Sequence, residues 1–567
     1  MTLSNALEIG RSGLLTSQTA LQVTGNNLAN MATRGYRRQS IDLAAAESRQ
    51  IQSGIFLGRG VQIQSITRQI DEALEARLRG SIADESRSET FSGLLGQVEA
   101  IENEFSGVDL STRLSAYFNA WSQLAGNPQD LSLRTLLVQE AVTLTEFING
   151  LDSELKSLRL QVDRTTAQTV STANGILDRI EDLNQRIAFS DHGIGGAAGM
   201  RDQRDALLSE LSHLLDVSII EQESGVIDIF SGSLPIMLNG QSRGIEVRSQ
   251  AINGQMQTEV VVAADGSLLE ITSGQISALA GFRQGDLEEA IATLDNFAGQ
   301  LIFQTNRLHS QGQGLSGLRN VLSMAHVNDV AMAINDPEVG LDFVPTHGSF
   351  ELHLTQRSTG QRATSVIFVD LDGLGGNDTT LTSLVADINA VANVSAAMTP
   401  DGRLQLAASG SDYEISFSSD SSGILAALGV GSFFTGSDAF NIGVNRNLAA
   451  APGMIAAALD HFPGDNQTAL AMVQLRKMPL DQLGGVSLSE CWNRHVEDFA
   501  IRLARVRQQQ QADSVVRQNL EIQQQSISGV NADEEAIDLI TYQRAYQASA
   551  RFLSVIEELM DTLLGLV

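Results

Sequence analysis

The chain has 567 residues, 43% of them hydrophobic and 18% charged, with a formal net charge of −30. That length exceeds what one core supports, so three or more domains are expected. The acidic surface repels phosphate backbones and excludes nucleic acid as a partner. The single cysteine, Cys491, excludes an internal disulfide, and no apolar run is long enough to span a bilayer.

The first 30 residues carry a heptad. Leu3, Leu7, Gly10, Leu14, Ser17, Leu21, Thr24 and Leu28 alternate steps of four and three, the a/d seam of a coiled coil. Small and polar members weaken the seam, so a partner helix is needed to hold it. The basic start, apolar run and cleavage site of a secretory signal are missing, and composition alone points to the cytoplasm. Arg34, Arg37 and Arg38 follow in a stretch with few acids, reading as a solvated turn or as a contact with an acidic neighbouring subunit.

Residues 31–70 lose the heptad. Ile51, Ile55, Leu57, Val61, Ile63 and Ile66 among Gly54, Gly58 and Gly60 predict short strands and turns. Residues 68–190 are strongly helical, broken at Asn127-Pro128, with Trp121 as a core anchor. A Gly/Ala-rich connection is expected at 193–199, then a helix from Met200. Apolar pairs two residues apart predict β structure over 217–280, and helix returns at 286–310.

The stretch 343–445 is rich in Ser, Thr, Gly and Asp. It predicts an inserted outer α+β domain, with strands at 350–354 and 365–369 and helices at 380–393 and 422–428. Helix resumes over 466–524, interrupted by Pro479 and Gly484-Gly485, and Ser528-Gly529 stops it. The last segment starts with Asn531 or Asp533 as a cap and Glu534-Glu535 at the positive end of the helix dipole. It repeats the heptad through Leu539, Tyr542, Tyr546, Ser549, Leu553, Ile556, Met560 and Leu563.

Catalytic patterns fail on context. Gly240-Gln241-Ser242-Arg243-Gly244 has the spacing of a hydrolase elbow, but a strand rather than a helix is predicted after it, so a hairpin turn is expected. Gly312 to Gly317 matches the dinucleotide glycine pattern but follows a helix instead of a strand. The acidic turn from Asp370 has Leu374 and Leu381 where an EF-hand needs oxygen ligands. No His/Cys spacing suggests zinc. No catalytic, metal or cofactor site is expected.

Asn26-Asn27-Leu28-Ala29-Asn30, followed by Thr33-Arg34-Gly35-Tyr36-Arg37-Arg38, resembles the N-terminal signature of bacterial flagellar rod, hook and hook-associated axial proteins. Gly25 before the Asn pair costs the helix about 1 kcal/mol relative to Ala. Ser528-Gly529-Val530-Asn531, Glu534-Glu535-Ala536 and Tyr542-Gln543-Arg544-Ala545-Tyr546-Gln547-Ala548-Ser549-Ala550-Arg551 resemble the C-terminal signature of the same group. Arg201-Asp202-Gln203-Arg204-Asp205 and the spacing Asn306, His309, Gly312 are similar to the members at the hook–filament junction.

The residues and the resemblance together predict a multidomain, mainly α protein with α+β and β insertions. Residues 1–35 and 530–567 would form a paired coiled-coil stalk. Residues 36–340 and 446–529 would form an elongated helical domain with a β subdomain at 217–280, and 343–445 the outer insertion. The seam would comprise Leu7, Leu14, Leu21, Leu28, Leu539, Tyr542, Tyr546, Leu553, Ile556, Met560 and Leu563. The family motif carries Asn26, Asn27, Asn30, Gly35, Tyr36, Asn531, Gln547 and Ala548 over.

The resemblance implies a structural subunit between hook and filament. It implies a homo-oligomeric ring or helical layer, with hook protein and a second junction protein as neighbours and an export chaperone on the C-terminal helix. It overrides the cytoplasmic reading with export through the flagellar channel to the extracellular flagellum. The alternatives are another axial protein such as hook protein, a secreted adhesin using 343–445, and, as a competing class, an enzyme built on Ser242 or a cation site near Asp370.

Overall fold

A computed structural model describes the chain except residues 1–2, 34, 53–54, 105–106, 191–196, 253–254, 460–461, 463 and 566–567, together with the side chains at 49, 51, 52, 55, 251, 252, 255–257 and 563. The fold is mainly α-helical, with small antiparallel sheets between the helices. It divides into two compact units. One comprises Met1–Leu94, Gln161–Gln284 and Ala504–Val567; the other comprises Leu95–Leu160 and Gly285–Leu503. Three of the four boundaries fall inside the long helices Glu72–Glu102, Leu131–Ser190 and Leu488–Ser528, and the fourth lies between helices Gly274–Gln284 and Asp286–Ser310. They cut where the three-part sequence division does not, because the stretches 36–340 and 446–529 each contribute to both units.

The first unit holds the terminal helices Leu3–Ala29 and Ala532–Leu564. Strands Gln39–Ala45 and Val61–Arg68 pair antiparallel beside them, with a bulge between Asp42 and Leu43. Farther along the chain, strands Ser218–Glu221, Ile227–Ser231, Leu234–Leu238 and Gln241–Ser242 form a sheet in sequence order. Ile229, Ile236 and Val262 bury against Leu177, Ile180, Leu207 and Leu211 of the helices.

Strands Leu234–Leu238 and Gln241–Ser242 are joined through Asn239 at φ 51° and Gly240 at φ 73°. Two successive left-handed residues are what a two-residue hairpin needs. The expected β stretch 217–280 ends early, because Gly274–Gln284 is a helix that buries Ile276, Leu279 and Phe282. Gly193 to Gly196 of the expected connection lie outside the described residues. The next helix, Ala198–Leu214, starts two residues before Met200.

In the second unit, the helices Leu110–Gly126 and Asp286–Ser310 surround an aromatic cluster. Trp121 is fully buried, 5.6 Å from the Phe433 ring. The helical run 68–190 has a second break that the sequence reading passed over, before Leu110. Asn103 and Gly107 have positive φ there, and Asp109 caps the next helix by accepting from Thr112 N at 2.7 Å.

The α+β segment has strands Gly348–Gln356 and Gln361–Val369 and helices Leu381–Asn389 and Ile424–Leu428. It reaches farther back than 343. Strand Asn320–Leu322 pairs with Leu404–Ala408, and Val321, Val327, Ile334 and Val339 share its core. Val321 lies in a three-residue strand, Val339 in a single 3-10 turn, and Val327 and Ile334 outside helices and strands, too short for periodicity to assign them. Among the described residues, no helix is long and apolar enough to cross a membrane.

Candidate assembly interface

Both ends of the chain are helical because apolar and small residues recur at helical spacing without an interior proline. The two helices lie against each other, running antiparallel. A Cβ on Gly10 would stand 2.7 Å from Leu553 Cδ2, one on Gly13 2.9 Å from Ser549 Oγ, and Asn27 meets Glu535.

The C-terminal helix turns its heptad inward. Ile556 is buried, while Leu539, Tyr542, Tyr546, Ser549, Leu553 and Met560 are half-buried. Leu563 lies outside the described side chains. The N-terminal helix differs from the sequence reading at its leucines. Gly10, Ser17 and Thr24 of the expected seam are buried, together with Thr16, Ala20 and Asn27, and Gly13 joins them against Ser549. Ala20 and Asn27 each precede an expected leucine by one residue. Leu7, Leu14 and Leu21 sit half-buried at the edge, and Leu28 is 41% exposed. Small residues permit a backbone approach that a leucine side chain would block, so they take the contact.

At the base of the pair, the family-motif residues form one polar latch. Asn27 Nδ2 donates to Gln39 O at 2.9 Å and to Glu535 Oε2 at 3.1 Å, across 508 residues of sequence. Asn27 Oδ1 accepts from Tyr36 Oη at 2.8 Å and from Gln39 N at 3.0 Å. Asn26 Nδ2 donates to Tyr36 Oη at 3.1 Å, and Asn30 Nδ2 donates to Asn26 O at 2.9 Å.

Gly35, at φ 82°, turns the chain so that Tyr36 folds back onto the helix. Burial, then the nearby Asp202 and Glu535 carboxylates, push the Tyr36 phenol up to about 12. Asn531 caps the C-terminal helix, accepting from Asp533 N at 3.0 Å. Gln547 and Ala548 are exposed and lie outside the latch.

Arg38 crosses to the C-terminal helix. Its Nε donates to Glu535 Oε1 at 2.7 Å, and its guanidinium also meets Glu534 at 2.7 Å and Asp538 at 3.5 Å. Burial opposes its charge, but Glu535 and Glu534 offset that, and its pKa stands above the ordinary value. Arg37 pairs with Glu75 at 2.9 Å. These two arginines thus have ion-pair partners inside the chain, where the sequence reading offered a solvated turn or an acidic neighbouring subunit; Arg34 lies outside the described residues.

The Arg201-to-Asp205 run supplies the next layer. Arg68 NH1 reaches Asp202 at 2.9 Å and Asp205 at 2.6 Å. Arg204 is buried and donates to Asn184 Oδ1 at 3.0 Å and Gly225 O at 2.7 Å. The alternating charges tie helix Ala198–Leu214 to the strand ending at Arg68 on one side and to the β sheet on the other.

Three family models match the chain in order. They are the flagella basal body rod protein over residues 7–37, the flagellar hook-associated protein FlgK helical domain over 95–321, and the flagellar basal body rod FlgEFG protein C-terminal over 523–566. The flagellar hook-associated protein 1 of Escherichia coli (strain K12) is 25% identical over 579 residues, covering 100% of both chains. Over its full length the chain is similar to flagellar hook-associated protein 1. The hook-associated protein 1 of Salmonella typhimurium (strain LT2) is 24% identical over 593 residues, again covering 100% of both chains. The solved flagellar hook junction protein FlgK from Burkholderia pseudomallei aligns with a TM-score of 0.49 at 16% identity, covering 80% of this chain and 100% of that one.

The hook-associated protein 1 family is one of structural flagellar proteins, and the motifs weighed for chemistry sit in structural roles here. Ser242 follows the Asn239-Gly240 turn, and its backbone N donates to Glu181 at 2.9 Å. The glycine loop is bound edge-on, with Gln313 N donating to Ala458 O at 2.7 Å and Gly317 N to Glu414 at 2.9 Å.

Asn306 Oδ1 accepts from Phe433 N and Phe434 N at 2.8 and 2.9 Å. His309 is buried between two backbone groups. Its Nε2 accepts from Ala456 N at 2.9 Å, so Nδ1 carries the proton and donates to Gly431 O at 2.7 Å. Burial pushes the His309 imidazole down to about 4. His347, Asp370 and Asp372 have ligand atoms within 4.8 Å of one another. Their turn already uses the carboxylates, with Asn377 donating to Asp370 at 2.6 Å and Leu374 N to Asp372 at 2.8 Å.

Proposed function

We propose that this protein is a structural subunit of the bacterial flagellum at the hook–filament junction, and that it assembles through its terminal helices. The observation that carries the assembly reading is the outer face of the helix pair. Ile537, Ile540, Phe552, Val555 and Leu559 are 65%, 50%, 44%, 53% and 54% exposed on the C-terminal helix. Exposed apolar side chains grouped on one element mark an interaction surface. Covering each fully contributes at most about 1.5–3 kcal/mol. The inner face is held by the latch, so a copy has a defined helix pair to present to its neighbours.

The neighbours in this reading are further copies of the chain in a ring or helical layer, hook protein on one side and a second junction protein on the other. An export chaperone would take the exposed stripe of the C-terminal helix before assembly. The route would be the flagellar export channel, and the destination the extracellular flagellum.

The test is incorporation onto isolated hooks. Leu553→Asp, on the inner face, and Val555→Asp, on the outer face, are each expected to remove the protein from hooks. Val555→Asp should leave the helical circular dichroism of the purified chain unchanged. Normal filament growth with both variants would overturn assembly through the terminal helices.

A further inference from the structure

Ile537, Arg544, Arg551 and Glu558 stand one heptad apart on the outward side of the C-terminal helix, and all four are exposed. Among the described residues, Arg544, Arg551 and Glu558 have no ionic partner within the chain. The charges near the latch differ: Arg38 meets three carboxylates, and Glu8 meets Arg59 at 3.2 Å. Unpaired arginines are notable in a chain with 67 acidic and 37 basic residues. The apolar residues that need covering, Phe552, Val555 and Leu559, lie between Arg551 and Glu558 or next to them.

A second copy of this chain has the complement of this stripe, but only at some registers. Parallel copies at equal height place Arg544 beside Arg544, Arg551 beside Arg551 and Glu558 beside Glu558, and like charges repel. A shift of one heptad brings Glu558 to the height of Arg551, but it also brings Arg551 to the height of Arg544. A shift of two heptads brings Glu558 to Arg544 and sets Arg551 beside Ile537, with no like pair on the stripe. Fourteen residues of helix rise about 21 Å.

We propose that neighbouring copies pack their C-terminal helices parallel with an axial offset of two heptads, Glu558 of one copy pairing with Arg544 of the next. This rests on the reading that the terminal helices are the assembly surface. The contact uses different heights on the two copies, so it is heterologous. Repeated, it generates a staggered, helical layer instead of a flat ring.

The experiment expresses each full-length variant as the only copy in the cell and measures the protein on isolated hooks. Arg544→Glu and Glu558→Arg should each lower incorporation, by about fivefold for a surface pair switched from attraction to repulsion. The double reversal Arg544→Glu/Glu558→Arg should return it to within about twofold of the parent, since every copy then carries the swapped pair. Circular dichroism of each purified variant checks that the helices remain.

Rescue by Arg551→Glu/Glu558→Arg instead would overturn the two-heptad register. Loss in the double reversal as deep as in the single variants would overturn the pairing, as would no loss in either single variant. Leu553→Asp runs alongside as the control for the underlying reading. If it is excluded from hooks while the charge variants behave as the parent, assembly by the terminal helices stands and the register falls. If Leu553→Asp incorporates normally, both fall.

Discussion

Asn27 satisfies four groups with one side chain, giving two hydrogen bonds through Nδ2 and receiving two through Oδ1. Asn27→Ala takes the partner from Glu535 Oε2, on a side chain 1% exposed whose Oε1 stays on Arg38, and from the Gln39 backbone; the cost is about 1–3 kcal/mol. Hydrogen exchange should then rise together in residues 20–45 and 532–540, although the two segments are distant in sequence. Arg68→Met leaves Asp202 and Asp205 without their guanidinium. Asp202 is already pushed up by burial, so the loss is large, roughly 3–5 kcal/mol for a broken buried pair. Denaturant unfolding of the full chain should show an earlier transition, with helix 198–214 exchanging first.

His309 sets a pH limit. In the fold its proton is taken only near 4, whereas the unfolded imidazole takes one near its ordinary value of 6.5. The unfolded state binds more protons in between. The His309 contribution is therefore complete above pH 6.5 and lost as pH falls toward 4, by roughly 3 kcal/mol. In His309→Gln the fall over that window should be shallower, read from the near-ultraviolet signal of the Trp121 and Phe433 cluster. Single-residue roles were the part of the site most legible in the sequence: the Asn pair, Gly35, Tyr36 and Glu535 all lie in recognised motifs. Which atoms they join was not legible, because Asn27 and Glu535 are 508 residues apart.

At the scale of elements, the two terminal helices were legible to different degrees. The C-terminal heptad has bulky residues at its inward positions, so period and contact coincide. In the N-terminal helix the expected seam mixes two stripes, one of leucines and one of the small residues Gly10, Ser17 and Thr24, the latter joined in the contact by Gly13, Ala20 and Asn27. Hydrophobicity favours the first stripe, whereas close approach selects the second. Replacing Gly10 and Gly13 by Ile tests this. Helix propensity improves with both changes, yet a Cβ at either position stands under 3.0 Å from Leu553 or Ser549. The double variant should hold less of its C-terminal helix, seen as faster exchange over 539–560, even though its N-terminal helix is intrinsically stronger. The helix Gly274–Gln284 was missed for a related reason. Its apolar residues follow strand-rich sequence, and only the left-handed Gly274 at φ 86° marks where the period changes.

For the whole molecule, helical content and the small sheets were legible from periodicity, and the grouping of segments was not. One unit draws on three stretches of sequence and the other on two, a partition set by contacts that no local pattern encodes. It carries a prediction. Removing residues 532–567 takes an element from the first unit only, so the core around Phe350, Leu352, Leu406 and Phe417 should unfold at an unchanged denaturant midpoint. A shift of that midpoint would mean that the units do not fold independently.

The 508-residue span between Asn27 and Glu535 also has a consequence in time. A ribosome adding about 5–20 residues per second delivers Glu535 roughly 25–100 s after Asn27. Helix–coil relaxation takes about a microsecond or less, so the amino-terminal helix waits through nearly all of translation with its contact face unmet. The latch closes last, and the newly made chain has an interval in which its two ends are open to capture.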